Sequence, residues 1–301
     1  MHMKQLFIRI KLNRSAIIKS TLAAVGSLYT IWGFVSLFEP LNGLFCDDTS
    51  VWIRLGVGLG VLLGITIIAF ISCSIYYLRS DCTCVLTSNS GKKVYVKYGD
   101  ICSSDIIKEG YSKRMNVVIP VNRCFDTIVD DSLISQNTLH GKIMKDLYKK
   151  GTFDPDTLND KIQESLSQSK YHSEILTVKK KPSGNIKRYT CGAVAEIKVS
   201  DCLTYFFLGL TTFNESLTAS ATKKEFAEAV QRMIEFCNAR AQGYPVVLPL
   251  MGTGLSRTNI KGEDALNYLV SAFRINIDII NNDFYIVVWK GLKDKISIMN
   301  L

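Results

Sequence analysis

At 301 residues the chain is long enough for one substantial domain and a further segment, and its formal net charge is +9. Its 47% hydrophobic content is ordinary, but those residues are spread unevenly, which argues against a single soluble globule. The basic excess is not accompanied by a helix-turn-helix, zinc-finger or aromatic RNA-binding pattern, so a nucleic-acid partner is not expected.

Residues 1–19 form a basic N-terminal segment, in which Lys4, Arg9, Lys11, Arg14 and Lys19 stand without an acidic neighbour. Two stretches then carry no charge at all, "STLAAVGSLYTIWGFVSLF" at 20–38 and "LGVGLGVLLGITIIAFISCSIYYL" at 55–78. At 1.5 Å rise per residue the first spans roughly 28 Å and the second more, close to a bilayer core of ~30 Å. The pair predicts a transmembrane hairpin, with 39–54 as a short extracytoplasmic loop. No clear small-x-small cleavage site precedes Glu39, and the second span would anchor the protein anyway, so a removable signal peptide is not expected. Lys/Arg excess marks the cytoplasmic side, whereas the loop carries Glu39, Asp47 and Asp48. Both termini are therefore expected in the cytoplasm.

Residues 79–92 read as a linker with a short polar strand region, and 93–301 as one folded domain. Cys82 and Cys84 lack a second ligand pair, and the other cysteines past the spans are scattered through apolar stretches, so neither a metal site nor a disulfide framework is expected. "KKVYVKYGDI", 92–101, alternates as a half-buried strand does, and "MNVVIPVN", 115–122, is an apolar strand ending at Asn122. In "SLISQNTLHGKIMKDLYKKG", 132–151, a polar loop passes into a helix that stops at Gly151. Asp154 and Pro155 open a helix to 168. "KKKPSGNIKR", 179–188, reads as a solvated hairpin about its Pro-Ser-Gly-Asn turn.

Strands follow at 193–199 and 202–213, then a helix over 222–243 opened by the capping box Thr222…Glu225. Val246, Val247 and Leu248 form a buried strand that runs into "MGTGLSR". Ala265, Leu266, Leu269, Val270 and Phe273 have helical spacing, and "DFYIVVWK", 283–290, is the last strand. Strands alternating with helices predict an α/β fold, a three-layer α/β/α sandwich with a mixed or largely parallel sheet. In such folds ligands gather at the carboxyl ends of the strands. Three polar stretches fall there: "YGDI", the run from "VNRCFDT" to "SQNTLHGK", and "MGTGLSR". A glycine turn between strand and helix lets backbone N–H groups converge on an anion. His140 is available for a hydrogen bond to phosphate or ribose, Lys142 as a point charge, and Arg257 for bidentate phosphate contact.

This order of elements, over roughly 93–301, resembles the macro domain, the ADP-ribose-binding α/β module. Gly99-Asp100-Ile101 matches the G-D-I motif of that family. The resemblance implies that Asp100 accepts from the adenine amino group and that the Ile101 N–H contacts the base. Asn122 matches the asparagine beside the distal ribose. The first phosphate loop corresponds to the run holding Ser135, Asn137, Leu139, His140, Gly141 and Lys142. The second corresponds to Met251, Gly252, Thr253, Gly254 and Leu255, followed by Arg257, and is implied to hold the diphosphate. Typical members have two asparagines and a triple-glycine run in the first loop; here one asparagine aligns and Gly141 is the only glycine. The resemblance therefore implies a binder with no catalytic residues, the alternative being a membrane-tethered macro-domain hydrolase acting on ADP-ribosyl adducts.

A membrane hairpin joined to so divergent a macro domain looks like the membrane effector of bacterial Thoeris anti-phage systems. In that family a TIR-domain partner enzyme converts NAD into an ADP-ribose-based signal, a histidine–ADP-ribose conjugate in the membrane–macro branch. The resemblance implies a multi-pass protein of the bacterial inner (cytoplasmic) membrane that contacts lipid, needs no cofactor beyond this ligand, self-associates into a homo-oligomer and disrupts the membrane. The series Gly56, Gly58, Gly60 and Gly64 offers small faces for helix packing, within one hairpin or between copies.

Overall fold

The computed structural model describes residues 3–36, 50–103, 114–253 and 257–301. The chain divides into two compact units, one holding 1–81 with 293–300 and the other 82–292 with 301.

The first unit contains α1 (Met3–Leu12), α2 (Arg14–Ser36) and α3 (Val51–Arg79). Arg14–Phe34 and Val51–Arg79 are long and apolar enough to cross a membrane, with mean hydropathies of 1.2 and 2.4. Ile31, Trp32, Leu59 and Ile68 are among their exposed side chains. A polar tie between the two is the 2.6 Å hydrogen bond between the Ser20 and Tyr77 hydroxyls. A Cβ added at Gly56, Gly58, Gly60 or Gly64 would meet nothing within 4 Å, so close approach inside this unit does not require these glycines. Residues 37–49, with the acidic loop, lie outside the described residues.

Segment 293–300 belongs to this unit and straps the junction of α1 and α2. The Asp294 carboxylate accepts from Arg9 Nε at 2.5 Å, and the Ser297 hydroxyl donates to Asn13 Oδ1 at 2.6 Å. Asn300 Nδ2 donates to the Leu12 carbonyl at 2.7 Å, while its Oδ1 accepts from the Ala16 N–H at 3.1 Å. One amide side chain thus satisfies a carbonyl at the end of α1 and an N–H in the first turn of α2, groups that no intrahelical partner serves. Ile296 and Ile298 are buried, as are Ala16 and Ile17. Lys293 pairs with Asp81, so the chain crossings at 81/82 and 292/293 are tied by an ion pair within the first unit.

The second unit contains β1 (Cys82–Thr87), β2 (Lys93–Gly99), β3 (Met115–Asn122), α4 (Leu139–Lys149), α5 (Pro155–Gln168), β4 (Ser173–Ile175) and β5 (Lys187–Tyr189). It continues with β6 (Val194–Ser200), β7 (Leu203–Phe213), β8 (Ala219–Ser220), α6 (Lys223–Arg240), β9 (Val246–Pro249), α7 (Gly262–Ile275) and β10 (Phe284–Trp289). The main sheet runs β1-β2-β10-β9-β3-β7-β6, with β8 beside β7. β2, β10, β9, β3 and β7 are mutually parallel, and the outer strands β1 and β6 are antiparallel to their neighbours, so the sheet is mixed. The stretch 79–92, expected as a linker with a short polar strand region, supplies β1, which pairs the edge that β2 would otherwise leave open.

Period-two alternation builds the layers. Val117, Ile119, Val121 and Phe207 share one cluster with Ile143, Met144 and Leu147 of α4 and with Leu158 and Ile162 of α5. On the opposite face Phe206 packs edge-on against Phe236 of α6 at 5.2 Å, and Phe284 meets Phe273 of α7 at 4.8 Å. Thr138 caps α4, Asp154 caps α5 ahead of Pro155, and Thr222 with Glu225 forms the capping box of α6.

Candidate functional site

The parallel strands β2, β3, β9 and β10 end at Gly99, Asn122, Pro249 and Trp289 along one edge of the sheet, and the segments that follow them line a two-lobed depression. The first lobe, about 380 Å³, is bounded by Asn122, Ser135, His140, Gly252 and Arg257. The second, about 390 Å³, is bounded by Asp100, Ile101, Asn137 and Lys142. Leu139, Pro249, Leu250 and Thr253 line both lobes and form the neck between them. An elongated ligand with two bulky ends fits such a shape better than a compact one.

Most of the expected site residues therefore come together. Met251 and Gly141 do not line the lobes; both are buried behind them. A Cβ on Gly141 would overlap the Ser135 carbonyl, so this glycine lets α4 press against its preceding loop. Gly254 and Leu255 lie outside the described residues.

Each loop is held by its own short-range bonds. Asp100 Oδ1 accepts from the Cys102 N–H at 3.0 Å, turning the chain after β2. Asn122 Oδ1 accepts from the Cys124 N–H at 3.0 Å, which engages its oxygen in the turn after β3. Thr138 Oγ1 takes the Gly141 N–H at 2.9 Å, while Leu139 and His140 open α4 at the neck, where the positive end of the helix favours an anion. Gly252 has φ +81°, a conformation that glycine adopts without steric cost, and a Cβ there would press on the Phe226 ring. The Thr258 hydroxyl donates to the Gly252 carbonyl and closes the second loop.

His140 is buried, and burial pushes its imidazole pKa down to about 3. The ring is neutral at physiological pH, and Nε2 has no hydrogen-bond partner among the described residues. The unfolded chain takes up a proton near the ordinary value of 6.5, whereas the folded one does not until about 3. Stability should therefore fall as pH drops below 6.5, by about 1.4 kcal/mol per pH unit at most from this residue. Chemical denaturation of the parent and of His140→Gln between pH 7 and 5 checks this, the variant showing the shallower slope.

Behind the first lobe, Phe125 has φ +54° and turns Asp126 inward. Asp126 Oδ1 accepts from Lys181 Nζ at 3.0 Å and from the Asn185 N–H at 2.7 Å. Lys181 also donates to the Ser183 carbonyl at 2.7 Å and lies 5.5 Å over the ring of Phe213, a lining residue of the lobe. The basic stretch 179–188 is thus not wholly solvated: Lys181 is 1% exposed and anchors the β4–β5 hairpin from inside. Burial holds the Asp126 carboxyl above the ordinary range despite that lysine.

Phe213 and Leu217 line the first lobe, and Trp289 and Leu292 the second; sequence reasoning did not single these out. The legible signal was Trp289, a tryptophan closing a strand at the ligand edge. Trp289 is 62% exposed, and its indole lies where Gly291 would carry a Cβ.

Residues 94–288 match the sequence profile of the family described as "Thoeris protein ThsA, Macro domain". The chain belongs to that family. The ThsA macro match opens in β2 and closes in β10, so it takes in the loops after β2, β3 and β9 and leaves out Trp289, the strap and the apolar helices. Thoeris protein ThsA of Bacillus amyloliquefaciens (strain Y2) is 25% identical over 256 residues, covering 84% of this chain and 78% of the relative. Among solved structures, the Oceanobacillus iheyensis macrodomain with MES bound aligns at 11% identity and TM-score 0.41, over 71% of this chain and 90% of that one. A mutant of that macrodomain with ADPR aligns at 13% identity and TM-score 0.41, over 71% and 92%.

Proposed function

We propose that the chain is a membrane-anchored anti-phage effector whose macro domain binds an ADP-ribose-derived signal, a histidine–ADP-ribose conjugate made by a TIR-domain partner. In this reading the base lies in the second lobe between Asp100 and Trp289, the diphosphate crosses the neck at Leu139 and Thr253, and the distal ribose with its substituent fills the first lobe. The single observation that carries it is the pair of lobes joined at the N-terminus of α4, in a chain of the Thoeris ThsA macro family. Binding rather than hydrolysis is favoured because Asn122 commits its oxygen to a turn and Gly141 lies within α4, pressed against the Ser135 carbonyl. The two apolar helices support a location in the bacterial cytoplasmic membrane, with the basic N-terminus inside. The open glycine series of α3 supports self-association between copies, through which signal binding leads to membrane disruption.

Calorimetric titration of the full-length chain in detergent with ADP-ribose tests the binding site. The parent should bind, and Asp100→Ala should weaken binding by about tenfold, the value of one charge-assisted hydrogen bond. Equal affinity in both proteins would move the base elsewhere. Turnover of ADP-ribosyl adducts by the parent would favour the hydrolase alternative.

A further inference from the structure

One wall of the second lobe runs without a break in the chain into the strap. β10 ends at Trp289, Lys290–Leu292 forms a single 3₁₀ turn, and the strap begins at Lys293. Trp289 and Leu292 line the lobe, and the Trp289 indole occupies the place of a Cβ at Gly291. A shift of that ring therefore bears directly on the backbone two residues before the strap. Within the first unit the strap is pinned at three successive points: Asp294 to Arg9, Ser297 to Asn13, and Asn300 to Leu12 and Ala16.

The second route between the units leaves from the same edge. β1 is antiparallel to β2 and begins with Cys82 opposite Lys97, near the carboxyl end of β2. Asp81, just before it, holds Lys293. Both chain crossings thus depart from the ligand edge of the second unit and are tied together within the first.

We infer that the strap is the output of the second lobe: a ligand that orders Trp289 is reported through residues 290–292 to Asn300, which caps the α1–α2 junction. The inference rests on the reading of the lobes as an ADP-ribose site. A ligand shifts such a device only by binding its two arrangements with different affinity. Trp289 supplies that difference, since its largely exposed ring gains a flat partner only when the lobe is filled.

Hydrogen–deuterium exchange of the full-length chain in detergent, with and without ADP-ribose, tests this. In the parent, ADP-ribose should slow exchange at 99–102 and 250–253. It should also change exchange at 293–300 and 9–17 by about threefold or more, as expected for a shifted local opening equilibrium. In Trp289→Ala, at ADP-ribose raised to saturation, the site peptides should still respond while 293–300 and 9–17 should not. In Asn300→Ala the site and 293–300 should respond and 9–17 should fall silent. A parent whose site peptides respond while 293–300 and 9–17 stay unchanged overturns the relay and leaves the binding site standing. An equal strap response in Trp289→Ala also overturns it. No response anywhere in the parent overturns the site reading and the relay together.

Discussion

Replacing Lys181 with Met should destabilise the protein by about 3–5 kcal/mol, the typical cost of leaving a buried charge without its partner. The Lys181 side chain is 0% exposed and that of Asp126 1%, so water cannot take the place of the ammonium. Asp126 Oδ2 already has no hydrogen-bond partner among the described residues, and losing Lys181 would leave the carboxylate only the Asn185 N–H from this group of contacts. The double variant Asp126→Leu/Lys181→Met should be much milder, because it removes both charges. The loss in Lys181→Met should also shrink as pH falls. Its carboxyl pKa, already raised in the parent, rises further without the lysine, so the folded state holds the proton more tightly than the unfolded state. Chemical denaturation at pH 8 and pH 5 reads both effects, and a single variant as stable as the parent would contradict them.

Gly252→Asp should lower affinity for ADP-ribose by at least about 100-fold, or 2.7 kcal/mol. Two causes add. The position has φ +81°, and the new Cβ presses on Phe226, so the loop must move. The carboxylate also brings negative charge to the first lobe, next to Thr253 at the neck where the diphosphate is proposed to cross. Gly252→Asn separates the causes, since asparagine is nearly isosteric, tolerates positive φ and carries no charge. Asn should bind better than Asp, by a margin that narrows in high salt. Titration of both variants at two ionic strengths measures this, and equal binding by Asp and Asn would remove the electrostatic part.

The elements that build the second unit were legible because their signals are local. Thr222 and Glu225, or Asp154 and Pro155, mark helix starts through groups three residues apart or fewer. The unbroken apolar run Val246–Leu248 marks a strand covered on both faces. Asp100 and Gly252 follow the ends of β2 and β9, and Asn122 closes β3, at one edge of the sheet. What stayed hidden depends on distant partners. Lys181 looks like one more surface lysine until the Phe125 turn brings Asp126 beneath it. Segment 293–300 carries no periodicity that would announce a strap, since its partners Arg9, Asn13 and Ala16 lie about 280 residues away. The short strand after Arg79 was expected, but its place at the sheet edge beside β2 depends on a pairing that its own residues do not encode.

The sheet order also sets a timetable for making this protein. β2 lies between β1 and β10, and the latter pairing joins residues separated by 190 positions, as the Lys93 N–H to Asp283 contact shows. At a synthesis rate of about 5–20 residues per second, β2 waits on the order of 10–40 s for that neighbour. During this time the apolar helices have already left the ribosome, whereas the parallel core has neither β9 nor β10 to close it. Long-range parallel pairing is intrinsically slow and leaves strand edges open to wrong partners. Nascent chains arrested before Phe284 should therefore be protease-sensitive and bound by chaperones, with only the β1–β2 pair formed at that side of the sheet. A sheet built this way remains incomplete until β10 has been made.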